Sequence, residues 1–305
     1  MERRDFLRKS ILTGSALTLG SGLLSTELIA GGDGKRITIL HTNDIHSRIE
    51  PFPKDSSRNA NQGGLTRLGS LVKKIREKES NILLLDAGDV FQGTPYFNFF
   101  GGELEYNLMN KIGFDATTLG NHEFDNGLKG IFDQLPNAEF SHLIANYDFS
   151  KTILNGALKP YKIFKKGGLK IGVFGLGIEL KGLVAEKSFE QTKYLDPVPV
   201  AKEMVRELRN KNCDLVICLS HLGFTYRSDK IDDLKLAHQV DEIDLIIGGH
   251  THSFLDQPVS VKSSQGYDTI VNQVGTAALR LGMLDYEFSK KNKIKNVLAK
   301  NMAVK

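Results

Sequence analysis

Five short apolar runs in this chain end in the same manner. Leu40 leads into His41-Thr42-Asn43-Asp44-Ile45-His46, and Leu85 into Asp86-Ala87-Gly88-Asp89. Leu119 leads into Gly120-Asn121-His122, Leu219 into Ser220-His221-Leu222-Gly223, and Ile247 into Gly248-Gly249-His250-Thr251-His252. Continuous apolar runs of this length, such as Ile82 to Leu85, suit strands buried on both faces. Strand-like segments at Arg36 to Leu40, Lys170 to Phe174, Leu215 to Leu219 and Leu245 to Ile247 repeat the pattern. Helical spacing lies between them. Leu65, Leu68, Leu71, Val72 and Ile75 form a stripe over Leu65 to Glu79, and further helices are expected at Glu103 to Lys111 and Val200 to Asn210. Alternation of this kind is the α/β signature, and α/β proteins place their chemistry in the loops beyond the carboxyl ends of their strands.

After Ile247 the pattern changes. Gln257 to Val261, Thr269 to Val274, Leu281 to Phe288 and Ile294 to Leu298 read as strands without helices between them, a meander closing a second sheet. The last stretch, Lys290 to Lys305, carries six lysines and no acid, which suits a solvated edge strand. No internal repeat and no break appear after residue 30, so residues 31–305 read as one catalytic domain.

Composition excludes little. A formal charge of +4 over 305 residues is too small for a polymeric nucleic-acid partner. Cys213 and Cys218 fall in one expected strand, five residues apart and on opposite faces, and read as core thiols. The first thirty residues say more. Arg3-Arg4-Asp5-Phe6-Leu7-Arg8-Lys9 precedes an uncharged run from Ser10 to Thr26 and a cleavage-like Leu28-Ile29-Ala30, a twin-arginine signal peptide over residues 1–30. The expectation is an exported, periplasmic protein with no stable membrane span once the signal is cleaved. An uncleaved anchor is the competing reading, weakened by Gly14, Gly20 and Gly22 in the run.

The densest stretch is LGNHEFDNG, Leu119 to Gly127, which offers an amide oxygen, an imidazole and two carboxylates within a few residues. Residues two apart in extended backbone share a side, so Asp44 with His46, and His250 with His252, can each aim a pair of ligands one way. On the same reasoning His122 points away from the side of Asn121, leaving Asn121 to hold a metal and His122 to handle a proton. Asp125, three residues on, can hydrogen-bond the His122 ring, or it can simply cap the following helix. Glu123 reads as a helix-start acid. His41, His142 and His238 read as ordinary core or surface histidines. Gly63-Gly64-Leu65-Thr66-Arg67 opens a helix behind the site. Gly175-Leu176-Gly177 lacks the third glycine of a dinucleotide loop, since Leu180 stands there.

Taken in order, D-x-H, G-D, G-N-H-E, H and G-H-T-H resemble the calcineurin-like metallophosphoesterases over about residues 36–289. The runs FQGTPYFNFFGGE and TLGNHEFDNG resemble the 5′-nucleotidase branch. The resemblance implies an α/β protein of the four-layer sandwich type, with two packed mixed β-sheets flanked by helices. It implies two divalent metal ions, one held by Asp44, His46, Asp89 and His252, the other by Asp89, Asn121, His221 and His250, with Asp89 bridging. It further implies His122 and Asp125 as a catalytic dyad and a small phosphorylated substrate, a nucleotide above all.

Chemistry agrees with that assignment. Two divalent ions against two carboxylates leave about two positive charges, enough to attract a phosphate dianion and a hydroxide together. Mixed nitrogen and oxygen ligands suit Mn, Fe, Co or Zn rather than Ca. Full-length nucleotidases of this branch carry a carboxyl-terminal domain that stacks the base, and this chain stops near its expected start. The readings left open are loose specificity for phosphate esters, a separate chain supplying that domain, or another substrate such as a sulfur-bearing conjugate. A module that binds a phosphorylated ligand without turnover is the alternative from a different class, and His122 with Asp125 argues against it.

Overall fold

The structure, a computed structural model, describes residues 34–305, so the signal-peptide reading lies outside the described residues. In chain order the first half comprises β1 (Arg36–Thr42), α1 (Leu65–Arg76), β2 (Ile82–Asp86), α2 (Pro95–Phe100), α3 (Glu103–Ile112), β3 (Ala116–Thr117), α4 (Gly127–Gln134), β4 (Ser141–His142) and β5 (Tyr147–Asp148). Next come β6 (Tyr161–Lys166), β7 (Leu169–Leu176), α5 (Glu186–Phe189), β8 (Lys193–Tyr194), α6 (Pro197–Asn210), β9 (Leu215–Ser220), α7 (Asp233–Gln239) and β10 (Leu245–Gly248). The chain closes with β11 (Val259–Lys262), β12 (Asp268–Asn272), β13 (Arg280–Phe288) and β14 (Ile294–Ala303).

Two mixed sheets result. The first runs β14-β13-β1-β2-β3-β4, with β1 to β4 parallel and the last hairpin antiparallel on β1. The second runs β11-β12-β10-β9-β7-β6, with β7, β9, β10 and β12 parallel and antiparallel strands at both edges.

The apolar runs explain why the sheets stack. Along β2, Leu83 and Leu85 face the space between sheets while Ile82 and Leu84 face the helix layer. Along β9, Leu215, Ile217 and Leu219 point inward, and Val216 and Cys218 pack outward beneath α6 and α7. Period-two alternation through an all-apolar run thus feeds two layers at once. Helices α1 to α3 cover the outer face of the first sheet, completing four layers. Each fully buried Leu or Ile contributes about 1.5–3 kcal/mol, whereas an exposed ion pair such as Lys129–Asp133 contributes at most about 1 kcal/mol. Apolar burial between the sheets therefore holds the two halves in register, and with them the strand ends.

Two expectations need correction. The four carboxyl-terminal strands do not form a meander: β11 and β12 join the second sheet, with β12 parallel to β10, while β13 and β14 join the first. The lysine-rich β14 is an edge strand, as its composition suggested. Cys213 precedes β9 rather than lying within it, so it escapes the strand's alternation and packs in the same apolar layer as Cys218. Both thiols are buried and free.

Candidate metal centre and active site

The parallel strands of both sheets end on one side of the sandwich. The first sheet delivers Asp44 and His46 after β1, Asp89 after β2 and Asn121 after β3; the second delivers His221 after β9 and His250 and His252 after β10. The structure brings all seven together. One ligand atom from each of Asp44, His46, Asp89 and His252 lies within 4.8 Å of the others, and the same holds for Asp89, His221 and His250. Asn121 joins the second group, its Oδ1 2.8 Å from His250 Nδ1. Asp89 belongs to both groups.

The close contacts are those of ligand atoms turned toward shared positions. His46 Nε2 and His252 Nε2 stand 2.9 Å apart, and His252 Nε2 is 3.3 Å from Asp44 Oδ1. His221 Nδ1 donates to the carbonyl of Ala87 at 2.7 Å, which leaves Nε2 as the nitrogen free to face the group. That Nε2 is buried and 3.0 Å from Asp89 Oδ2, yet the two lack the alignment of a hydrogen bond. A buried nitrogen without a hydrogen-bond partner, in a set of two carboxylates, one amide and four imidazoles, fits divalent cations with a mixed nitrogen and oxygen preference. The two carboxylates also give the site negative potential, which a proton on His221 answers and a bound cation would replace. Burial alone would depress the His221 imidazole, but the Asp89 carboxylate pushes it up to about 10. His250, depressed by burial and then by the charge of His221, sits at about 4 and stays neutral, as a ligand must.

Backbone geometry corrects the reason for this convergence. Asp44 (φ 51°), His46 (φ 51°), Asp89 (φ 56°), His250 (φ 70°) and His252 (φ 50°) are all left-handed, not extended. The ligand pairs still share a side, but through a tight reversal that each non-glycine residue adopts at a conformational cost of order 1–3 kcal/mol. Strain of this kind concentrates at sites that the surroundings over-determine. Hydrogen bonds from His250 N to both Asp44 carboxylate oxygens (3.0 and 3.1 Å) and from His46 N to Asp89 O (3.0 Å) hold the loops against it. Gly120 is required for a different reason: a Cβ there would lie 2.2 Å from Asp89 Oδ1 and 2.6 Å from His221 Nε2.

Asn121 and His122 are likewise helical rather than extended, since His122–Phe124 forms a 3-10 turn. That turn, not strand alternation, separates the His122 ring from the Asn121 amide. His122 Nδ1 lies 2.8 Å from Asp125 Oδ2, and the His122 backbone N–H donates to Asp89 Oδ1 at 2.8 Å. Asp125 does not cap the next helix; Asn126 holds that position. The Asp125 hydrogen bond raises the His122 pKa above the ordinary imidazole value, with burial opposing it. The ring stands 5.2 Å from the His46 ring, at the rim of the group of metal-type side chains.

Glu123 is the residue that sequence reasoning misplaced. It is no surface helix-start acid but 1% exposed. Its Oε2 accepts from Asp89 N (3.0 Å) and Gly120 N (2.5 Å), and its Oε1 from Val90 N (2.7 Å) and Phe91 N (3.3 Å). One side chain thereby ties the loop after β2 to the loop after β3. Burial, then the Asp89 charge, pushes its pKa up to about 7. No local sequence signal marks this role, because the partners in the loop after β2 lie over thirty residues away. His41 and His142 are core histidines as expected, bonded to Asn272 and Tyr106. Gly63 N and Gly64 N donate to the carbonyls of Val304 and Ala277, and Ala277 N donates in turn to the Asp44 carbonyl.

Comparison with known proteins agrees with this fold. The model of the calcineurin-like phosphoesterase family matches residues 37–254, a span that contains all seven converging side chains. Snake venom 5′-nucleotidase of Gloydius brevicauda is 33% identical over 298 residues, covering 91% of this chain and 50% of that protein. The 5′-nucleotidase of Rattus norvegicus is 35% identical over 279 residues, covering 85% and 47%. Among solved structures, the 5′-nucleotidase precursor of Thermus thermophilus superposes with a TM-score of 0.80 at 32% identity, covering 88% of this chain and 54% of that one. The chain spans about half the length of the curated relatives it matches. With strand order, ligand loops and family model in agreement, the chain belongs to the calcineurin-like phosphoesterases, metal-dependent hydrolases of phosphoric esters.

Proposed function

We propose that this chain is an exported, dinuclear phosphoesterase with one catalytic domain over residues 31–305, and that its substrates are nucleotides, handled as a 5′-nucleotidase or a 2′,3′-cyclic phosphodiesterase would. The observation that carries the reading is the membership of Asp89 in both ligand groups. In this reading Asp44, His46, Asp89 and His252 hold one cation, and Asp89, Asn121, His221 and His250 hold the other. Bound divalent cations supply Lewis-acid polarisation of the phosphoryl group and a water of lowered pKa. Mn, Zn, Fe and Co all suit the donors.

The chain's own residues supply the rest. With Asp44 and Asp89 as the only carboxylates in the set, two bound dications would leave the centre a positive balance toward the phosphate. Asp125 orients His122 through Nδ1 and favours its protonated form. His122 Nε2–H then gives its proton to the alkoxide oxygen as the ester P–O bond breaks, while water contributes the new P–O bond; the products are an alcohol and phosphate. Glu123 keeps Asp89 and the His122 turn in fixed relation. The 5′-nucleotidase relatives support a nucleotide as the substrate. Catalysis on this reading needs no separate chain, because both the ligands and the dyad are internal.

The test is a panel. Metal-loaded protein is offered 4-nitrophenyl phosphate, bis(4-nitrophenyl) phosphate and nucleoside 5′- and 2′,3′-cyclic monophosphates. Hydrolysis with preference for nucleotides is expected; no hydrolysis of any ester with two cations bound would leave a binding module instead. Export is tested separately by deleting residues 1–30 and locating the product. Among the described residues no helix is long and apolar enough to cross a membrane.

A further inference from the structure

Residues 273–279 connect β12 in the second sheet to β13 in the first, and this crossing lies against the loops that carry the metal-type side chains. Gln273 opens it. The residue is fully buried, and both ends of its amide are bonded. Oε1 accepts from Ser253 N and from the Thr251 hydroxyl (3.0 Å), and Nε2 donates to the Gly249 carbonyl at 2.6 Å. Gly249 precedes His250, Thr251 separates it from His252, and Ser253 follows, so one side chain grips the loop after β10 at three points around its two imidazoles. The Thr251 hydroxyl oxygen also accepts from Phe224 N at 2.9 Å, which ties in the loop after β9, where His221 stands.

The rest of the crossing holds both sides. Toward the loop after β10, Gly275 N donates to Ser253 O at 2.9 Å, and Leu255 N to Gln273 O at 3.3 Å. Toward the loop after β1, Val274 N donates to Asn43 Oδ1 (2.9 Å), and Asn43 Nδ2 donates to Asp44 Oδ2 (2.6 Å). Thr276 Oγ1 and Ala277 N both donate to the Asp44 carbonyl, at 2.9 and 2.8 Å. Glu123 joins two loops of the first sheet; this crossing joins loops of both sheets. The left-handed backbone of His250 (φ 70°) and His252 (φ 50°) requires such a hold, since a free loop would relax out of it.

We infer that Gln273 is a positioning residue for both members of the cation pair, acting through the Thr251 hydroxyl and the Gly249 carbonyl. The inference rests on the dinuclear reading and adds a residue outside the ligand set on which both cations depend. The reason is how the loop is shared. His252 groups with Asp44, His46 and Asp89, whereas His250 groups with Asp89 and His221. Loss of one imidazole should therefore weaken one cation, and loss of the grip on their common loop should weaken two. Hydrogen bonds that hold metal-ligating groups in place are worth about 10- to 100-fold in metal affinity.

Calorimetric titration of the metal-free full chain with Mn is the test. The parent is expected to take up two equivalents. Gln273→Met, which keeps the side-chain length and adds no charge, should weaken both binding steps about 10- to 100-fold, and Thr251→Val should do the same. Thr251→Ser retains the hydroxyl and should bind as the parent does, while His252→Ala should weaken one step only. Turnover of 4-nitrophenyl phosphate by Gln273→Met should recover at saturating metal. Equal binding by parent and Gln273→Met, weakening of a single step, or Thr251→Ser as weak as Thr251→Val overturns the inference. Thr251→Val, the milder change, carries the test if Gln273→Met does not fold. A parent that takes up fewer than two cations contradicts the dinuclear reading instead, and hydrogen exchange of the metal-free protein then decides whether Gln273 holds the loop. Faster exchange at Phe224 N and Ser253 N in Gln273→Met and Thr251→Val, but not in Thr251→Ser, supports the hold; unchanged exchange sinks it.

Discussion

The two sheets bring unlike chemistry to one edge. From the first come both carboxylates, Asp44 and Asp89, with the Asn121 amide, His46 and the His122–Asp125 pair; from the second come imidazoles only, His221, His250 and His252. The negative charge and the His122–Asp125 pair are thus concentrated on one half, and the other half adds imidazoles. Neither half alone makes a closed site. What unites them is the apolar interface between the sheets, where Leu83, Leu85, Ile217, Leu219 and Ile247 are fully buried. A division of this kind means that damage to the first sheet's loops should reach charge and chemistry together, while damage elsewhere should reach them one at a time.

The largest effect should come from Asp89, the residue shared by both ligand groups. Asp89→Asn is expected to lower kcat/KM on the order of 10⁴-fold, several kcal/mol of transition-state stabilisation, and to reduce bound metal as read by elemental analysis. His122→Asn sharpens the contrast from the same loop cluster. It should lower kcat by about 10²- to 10³-fold with metal content unchanged; unchanged turnover would remove His122 from the chemistry.

Glu123 touches no proposed substrate, so its effect should be smaller and of another kind. Glu123→Gln places an amide N–H₂ against backbone N–H donors of Asp89, Gly120 or Val90. Metal affinity, measured by competition with a chelator, should fall about 10- to 100-fold, with kcat largely restored at saturating metal. A loss of kcat that excess metal does not repair would make Glu123 more than a tie between loops.

The smallest effect concerns the junction of the sheets. His41 of β1 accepts from Asn272 Nδ2 of β12 at 2.8 Å, and burial pushes its pKa down to about 3. The folded protein refuses a proton that the unfolded chain accepts near pH 6.5. His41 therefore contributes stability that is present above that value and is lost as the pH falls toward 3. Between about pH 7 and about pH 5 the loss is about 2 kcal/mol. Urea unfolding of metal-free protein at the two pH values should show it, and His41→Gln, whose amide oxygen can still accept from Asn272, should show a shallower dependence on pH.

Much of this was legible in the chain. Ile82 to Leu85 and Leu215 to Leu219 announce strands buried on two faces, because only a doubly covered strand tolerates apolar residues at every position. The metal-type side chains that converge from five strand ends could be picked out for the same reason: they follow those runs. What could not be read depends on partners distant in sequence. The left-handed backbone at Asp44, His46 and His250 is imposed by bonds between loops, and extended geometry was the wrong local assumption. Glu123 gave no sign of its burial, since most of the amides it serves belong to another loop. The closing strands looked like a meander because neither sheet membership nor the parallel pairing of β12 with β10 leaves a local mark.

The most direct measurement is anomalous diffraction from crystals of the protein loaded with Mn or Zn. Two peaks are expected, one on each side of the Asp89 carboxylate, the first among Asp44, His46 and His252 and the second among Asn121, His221 and His250. A single peak, or none within reach of Asp89, would contradict a paired-cation centre shared between the sheets.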